Sequence, residues 1–142
     1  MKQTTQTLDA PWHHQCRIFV RGYELDSYRH VNHAVYLNYL EHARWEFLAS
    51  CGLTLSRLDE LKRWPVVRHL QIDYLKSALI NEELVILSRL SELGRASLVI
   101  EQEIRRGEQL ITRAQIKAAI IDEKGRAVAV PREFSELSKG ES

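Results

Sequence analysis

The sequence predicts an α+β domain: one N-terminal strand, one long amphipathic helix, then an antiparallel sheet built from consecutive hairpins. Three observations carry that expectation. Residues 14–22 alternate apolar and polar side chains with a period of two. After Asn32 the apolar residues recur at helical spacing. From Val66 onward, long β-branched-rich runs are separated by short glycine turns, and connections that short join antiparallel neighbours only, because a parallel pair needs a crossover.

Met1 to Trp12 is polar, lacks a hydrophobic run long enough for a signal peptide or a membrane span, and reads as a loose extension. In the first strand, Cys16, Ile18 and Val20 share one face, opposite Gln15, Arg17, Phe19 and Arg21. Asn32 is a good helix N-cap and Gly52 a good C-terminal stop, with Tyr36, Tyr39, Leu40, Ala43 and Phe47 forming the apolar stripe between them. Ser56 to Trp64 fits a short second helix that ends before Pro65. Four strands are expected at Val66–Leu75, Glu83–Leu93, Arg95–Arg106 and Gln109–Asp122, with turns at Ser77–Asn81, Gly94, Gly107 and Glu123–Arg126. In the third of these, Leu98, Ile100 and Ile104 alternate with Glu101, Glu103 and Arg105, so one face of the sheet is covered. Ala127–Val130 is expected to close the last hairpin before Pro131 stops it, and Ser135 to Ser142 reads as a polar tail. The helix is the one element able to cover the sheet, so it must pack on the concave face. Residues 1–142 thus form a single domain whose open strand edges favour dimerisation.

Composition narrows function by exclusion. Twenty basic against 19 acidic side chains give a net charge of +1, which offers no bulk electrostatic case for nucleic acid or membrane. Cys16 and Cys51 are too few and too far apart for a disulfide framework or a zinc motif. They fit a reducing cytoplasm as small apolar residues.

The run from Asp26 to Arg44 carries the chemistry. A carboxylate in a short polar loop is followed by an Asn that opens the long helix. The first turn of a helix has N–H groups without intrahelical partners and a partial positive charge, so it can hold a developing oxyanion. A base beside such donors is the minimum equipment for attack on a carbonyl, which makes acyl transfer the leading reading.

The motif Asp26-x-x-x-x-Val31-x-x-x-x-Tyr36 followed by Tyr39-x-Glu41-x-Ala43-Arg44 resembles the acyl-CoA thioesterases of the 4-hydroxybenzoyl-CoA thioesterase type. His30-Val31-Asn32-His33 is similar to the His-Val-Asn-Asn common in that family and in the related acyl-ACP thioesterases. The resemblance covers residues 14–130. It implies the hotdog fold, an antiparallel sheet wrapped around one long central helix, with active sites formed where two subunits of a homodimer or homotetramer meet. It also implies an acyl-CoA or acyl-ACP substrate and no cofactor. Asp26 matches the family's catalytic aspartate, which attacks the thioester carbonyl as nucleophile or activates water as general base. The matching oxyanion donor is the backbone N–H near His33, and Tyr36 would pack near the acyl group. Two departures stand out. Arg29 replaces a common Gly, and Tyr28 stands where acyl-ACP relatives have Asn.

Simpler roles stand beside these. Asp26 can be a turn-forming surface residue, and Asn32 a cap that contributes about 1 kcal/mol. His30 and His33 can orient substrate or bond within the loop. Glu41 offers a second carboxylate, but an ion pair with Arg44 is its expected role. A metal site at Asp26, His30 and His33 is not expected, because the histidines lack the i,i+4 helical spacing of a two-His zinc motif. Arg105, Arg106, Arg113 and Lys117 are solvated strand positions by default, and near a tunnel mouth they would suit CoA phosphates. A non-catalytic acyl-thioester binding protein is the alternative from another functional class.

Overall fold

Asn32 opens the long helix as expected. Its Oδ1 accepts the Ala34 N–H at 2.9 Å, which satisfies one donor of the first turn. A computed structural model of the protein describes residues 6–7 and 11–139. In it the helix, α1, spans His33–Ser50. The stripe of Tyr36, Tyr39, Leu40, Ala43 and Phe47 is buried throughout. Past the helix end, Gly52 adopts φ 87°, a left-handed conformation that glycine takes without a Cβ penalty.

Six strands form one antiparallel sheet: β1 (Gln6–Thr7), β2 (His14–Phe19), β3 (Trp64–Tyr74), β4 (Glu83–Leu93), β5 (Ser97–Arg106) and β6 (Gln109–Ile121). Their order is β1-β4-β5-β6-β3, with β2 also paired to β4. β2 pairs with Glu83–Ser88 and β1 with Glu92 and Leu93. β4, β5 and β6 follow each other as hairpins through the Gly94 and Gly107 turns. α1 packs against β2 and β4. Its N-terminal half covers Leu84, Ile86, Ile104, Ile111 and Ile116, and its C-terminal half meets Leu90, Leu98, Ile100 and Ile120. This is the expected antiparallel sheet around one long helix.

Four details differ from expectation. The second helix, α2, spans Leu55–Leu61 and stops at Lys62, which turns into the left-handed region, rather than at Pro65. Pro65 instead lies near the start of β3, an edge strand that tolerates a missing backbone donor. Residues 6 and 7 of the expected loose extension pair with β4; residues 1–5 and 8–10 of that extension, and residues 140–142 of the expected tail, lie outside the described residues. Ala127–Val130 forms no strand. Ala127 makes one bridge to Ile121, and the Val128 N–H donates to the Ile120 carbonyl at 2.9 Å. Most of the expected polar tail is helix α3 (Arg132–Lys139), because Phe134 is fully buried against Phe47, Leu58 and Leu98. Arg57 of α2 ties α3 in place by donating to Glu133 at 3.1 Å.

Candidate active site

The loop that carries Asp26 is fixed by its own backbone. The Asp26 N–H donates to the His30 carbonyl at 2.8 Å, the Arg29 N–H donates back to the Asp26 carbonyl at 3.0 Å, and Leu25 bridges Val31. Closing so short a turn puts Arg29 at φ 67°. The turn therefore keeps a glycine-like conformation without glycine, at a cost of about 1–2 kcal/mol. Inside it the carboxylate is oriented: Oδ1 accepts the N–H groups of Tyr28 at 2.8 Å and His30 at 3.2 Å. Oδ2 accepts no hydrogen bond from the described residues. The residue is half-buried, while Tyr28, Arg29 and His30 are exposed.

The same loop runs directly into α1. The Val31 N–H donates to the Ala78 carbonyl and the Asn32 N–H to the Glu24 carbonyl, both at 3.0 Å. The Ala34 N–H goes to Asn32 Oδ1 and the Val35 N–H to the Asn32 carbonyl. From Tyr28 to Val35, every backbone N–H has an acceptor among the described residues except that of His33. One strong donor is thus left open at the positive end of the long helix. The His33 carbonyl accepts the Tyr74 hydroxyl at 3.0 Å, and the two rings meet edge to face, so β3 holds the first turn of α1.

Three residues that sequence reasoning passed over hold this assembly. Glu24 is buried; its Oε1 accepts the Tyr39 hydroxyl at 2.7 Å, and its carboxylate also accepts from the Arg21 side chain and backbone. Burial alone would raise its pKa, but the hydrogen bonds from Arg21 and Tyr39 outweigh burial and hold it below the usual carboxylate range. Ala78 docks the β3–β4 connection against the site by accepting from Val31 and donating to the Tyr36 hydroxyl at 3.0 Å. Tyr74 is the third. An alanine carries no sequence signal for such a backbone role. Glu24 and Tyr39 are far apart in sequence.

Tyr36 is buried, with its ring against Tyr39 and Tyr74. Burial chiefly raises its pKa, and the Asp26 charge adds to the effect. Asn32 caps the helix, so its Oδ1 is engaged. Among the described residues, Asp26, His30 and His33 do not gather as a set of metal ligands.

Glu41 sits elsewhere. The expected pair with Arg44 is not formed: Arg44 turns under α1 and donates to Gln102 Oε1 at 3.0 Å. Gln102 is fully buried and passes its own N–H groups to the Leu40 carbonyl and to Ser88. Burial lowers the Arg44 pKa, and the Glu41 charge opposes that shift. Glu41 instead rims an apolar groove of about 80 Å³ walled by Arg44, Trp45, Leu48, Leu98 and Phe134. Of the strand arginines, Arg105 pairs with Glu103, Arg106 with Glu82 and Arg113 with Asp73, while Lys117 is exposed.

Known proteins of one family resemble this chain in sequence and fold. A family model described as the thioesterase-like superfamily matches residues 20–137. FadM of Escherichia coli strain K12, a long-chain acyl-CoA thioesterase, is 35% identical over 125 residues, covering 86% of this chain and 94% of that protein. The acyl-CoA thioesterase YbgC of Haemophilus influenzae is 34% identical over 105 residues, 72% of this chain and 77% of that one. A crystal structure of a probable thioesterase from Bartonella henselae matches with a TM-score of 0.79 at 33% identity, covering 83% of this chain and 98% of that chain.

Proposed function

The chain belongs to the thioesterase-like superfamily, and on that premise we propose that it hydrolyses an acyl-CoA to the free acid and CoA. The observation that carries the reading is an oriented carboxylate, Asp26 with Oδ2 open, on the same short segment as the His33 N–H, the one N–H of the adjoining helix turn without an acceptor among the described residues. In the general-base route, water attacks the carbonyl carbon as Asp26 takes its proton. The tetrahedral oxyanion receives the His33 N–H, and collapse breaks the C–S bond. CoA leaves as thiolate and takes up the proton that Asp26 gained. In the nucleophilic route Asp26 attacks the carbonyl carbon, and the C–S bond breaks to release CoA thiolate and leave an Asp26–acyl anhydride. Water then cleaves that anhydride to the free acid, regenerating the carboxylate while the thiolate takes up the released proton. Neither route calls on a metal or organic cofactor. His30, exposed beside the carboxylate, and Asn32 and Tyr36, which set the helix start, would bind and orient substrate.

The reading includes a homo-oligomer in the cytoplasm. β3 pairs with β6 alone among the described strands and carries exposed Val67, Leu70 and Tyr74, while Tyr23 and Tyr28 beside the loop are more than three-quarters exposed. A second copy would cover such a surface and wall the acyl site. No helix among the described residues is long and apolar enough to cross a membrane.

The test is thiol release from a panel of fatty and aromatic acyl-CoA esters beside the same acyl groups on acyl carrier protein. Turnover of CoA esters is expected. Turnover of carrier-protein esters alone would reassign the carrier, and tight CoA-ester binding without turnover would make the chain a binding protein. Light scattering at micromolar concentration should give a dimer or tetramer; a fully active monomer contradicts the assembly.

A further inference from the structure

Away from the loop, three side chains of different donor type converge between β2 and α1. Cys16 Sγ comes from the strand, and His42 and Glu46 come from one face of the helix at i,i+4. Their ligand atoms all lie within 4.8 Å of one another. His42 Nε2 and Glu46 Oε2 are 3.1 Å apart. In a tetrahedral zinc site with bonds of about 2.0–2.3 Å, neighbouring ligand atoms stand roughly 3.3–3.6 Å apart. The imidazole and carboxylate are therefore already near coordinating separation, and the sulfur needs to close by no more than about 1.5 Å.

The surroundings favour an ion over a chance meeting. Cys16 Sγ stands 3.9 Å from the Arg17 carbonyl. Burial, together with the charge of and a hydrogen bond to Glu46, raises the thiol pKa to about 11, so an ion must displace the thiol proton that now faces Glu46. His42 and Glu46 are about half exposed, and a cleft of about 550 Å³ lined by Arg17, Phe19, Asn38 and His42 opens on the His42 side of the cluster. That cleft gives an ion a way in and leaves room for water as a fourth ligand. Thiolate, imidazole and carboxylate together match the preference of zinc, a borderline-soft divalent ion, over calcium or magnesium, which take oxygen ligands.

We propose that Cys16, His42 and Glu46 form a zinc site that cross-links β2 to α1. Binding replaces the His42–Glu46 contact, forms bonds to Nε2, a Glu46 oxygen and Sγ, and releases the Cys16 thiol proton to solvent. Asp26 and the His33 N–H take no part, so the site is separate from the proposed hydrolysis and neither result decides the other. A bound ion stabilises the fold in proportion to its occupancy.

The experiment is a cobalt(II) titration of the reduced, chelator-stripped full chain, followed by displacement with zinc. One cobalt per chain is expected, with a thiolate-to-cobalt charge-transfer band in the near ultraviolet that zinc abolishes. Cys16→Ala should lose the band and Cys51→Ala keep it. His42→Gln and Glu46→Gln alter exposed side chains and should leave the circular dichroism unchanged while weakening binding at least about tenfold. The absence of a charge-transfer band, its survival in Cys16→Ala, or unchanged affinity in His42→Gln would each overturn the site.

Discussion

Asp26 and Glu41 are carboxylates on the same segment of chain, yet their surroundings have little in common. Asp26 sits in a turn whose every constraint is a backbone hydrogen bond. Two N–H groups fix one oxygen, the other oxygen is open, and an unbonded donor follows at His33. Glu41 stands on a regular helix above a packed groove, where Arg44 has turned away to Gln102 and the neighbouring side chains are apolar. The first region is rich in oriented polar groups and contributes little to the core. The second is mostly core. The proposed site of chemistry and a site of stability are thus separated along about fifteen residues, and substitutions in the two regions should fail in different ways.

The largest effect on folding belongs to the groove. Phe134 is fully buried between α1, α2 and the sheet, so Phe134→Ala should cost about 3–5 kcal/mol in urea unfolding. A loss below about 1 kcal/mol would mean that α3 is not part of the core. Next comes the support beneath the loop. Tyr39→Phe removes the 2.7 Å bond to Glu24, and hydrogen bonds to charged groups are worth roughly 1.5–3 kcal/mol. The pH dependence follows in sign. Glu24 has a lowered pKa in the folded chain, so its contribution is complete above the unfolded carboxylate value and is lost as pH falls through the folded one. Stability curves between neutral and acid pH should therefore converge for the parent and Tyr39→Phe; parallel curves would remove Glu24 from the account.

A smaller change is expected in the turn itself. Arg29 occupies φ 67°, where glycine is unstrained, so Arg29→Gly should gain about 1 kcal/mol or less after its larger unfolded-state entropy is counted. A clear destabilisation would show that the Arg29 side chain holds the loop. Smallest of all is Asp26→Asn. The amide oxygen can still accept from Tyr28 and His30, so the stability change should stay under about 1 kcal/mol.

Much of this was legible in the residues. Asn32 announced the helix start because capping is a local interaction, and the Gly94 and Gly107 hairpins followed from turn length alone. The buried stripe of α1 was plain from its spacing. Asp26 and the helix start beside it could be named as candidates, because base and donors lie on one short segment. Illegible were the features made by distant partners. Phe134 and Leu137 are too sparse in a polar stretch to signal α3 until Phe47 and Leu98 meet them. β1 is two residues whose pairing is supplied by the β4 backbone. Gln102 sits on the apolar face of β5, where a polar residue makes sense only once Leu40, Arg44 and Ser88 surround it.

The most direct test measures kcat at saturating acyl-CoA for Asp26→Asn and Glu41→Gln side by side, with circular dichroism confirming both folds. General acid–base groups contribute roughly 10²–10⁴-fold, so Asp26→Asn should lose at least about 100-fold in kcat with KM little changed, because its charge matters mainly in the transition state. Glu41→Gln should keep most of its turnover. Near-parental turnover in Asp26→Asn together with an inactive Glu41→Gln would put the catalytic carboxylate on the helix and contradict the account.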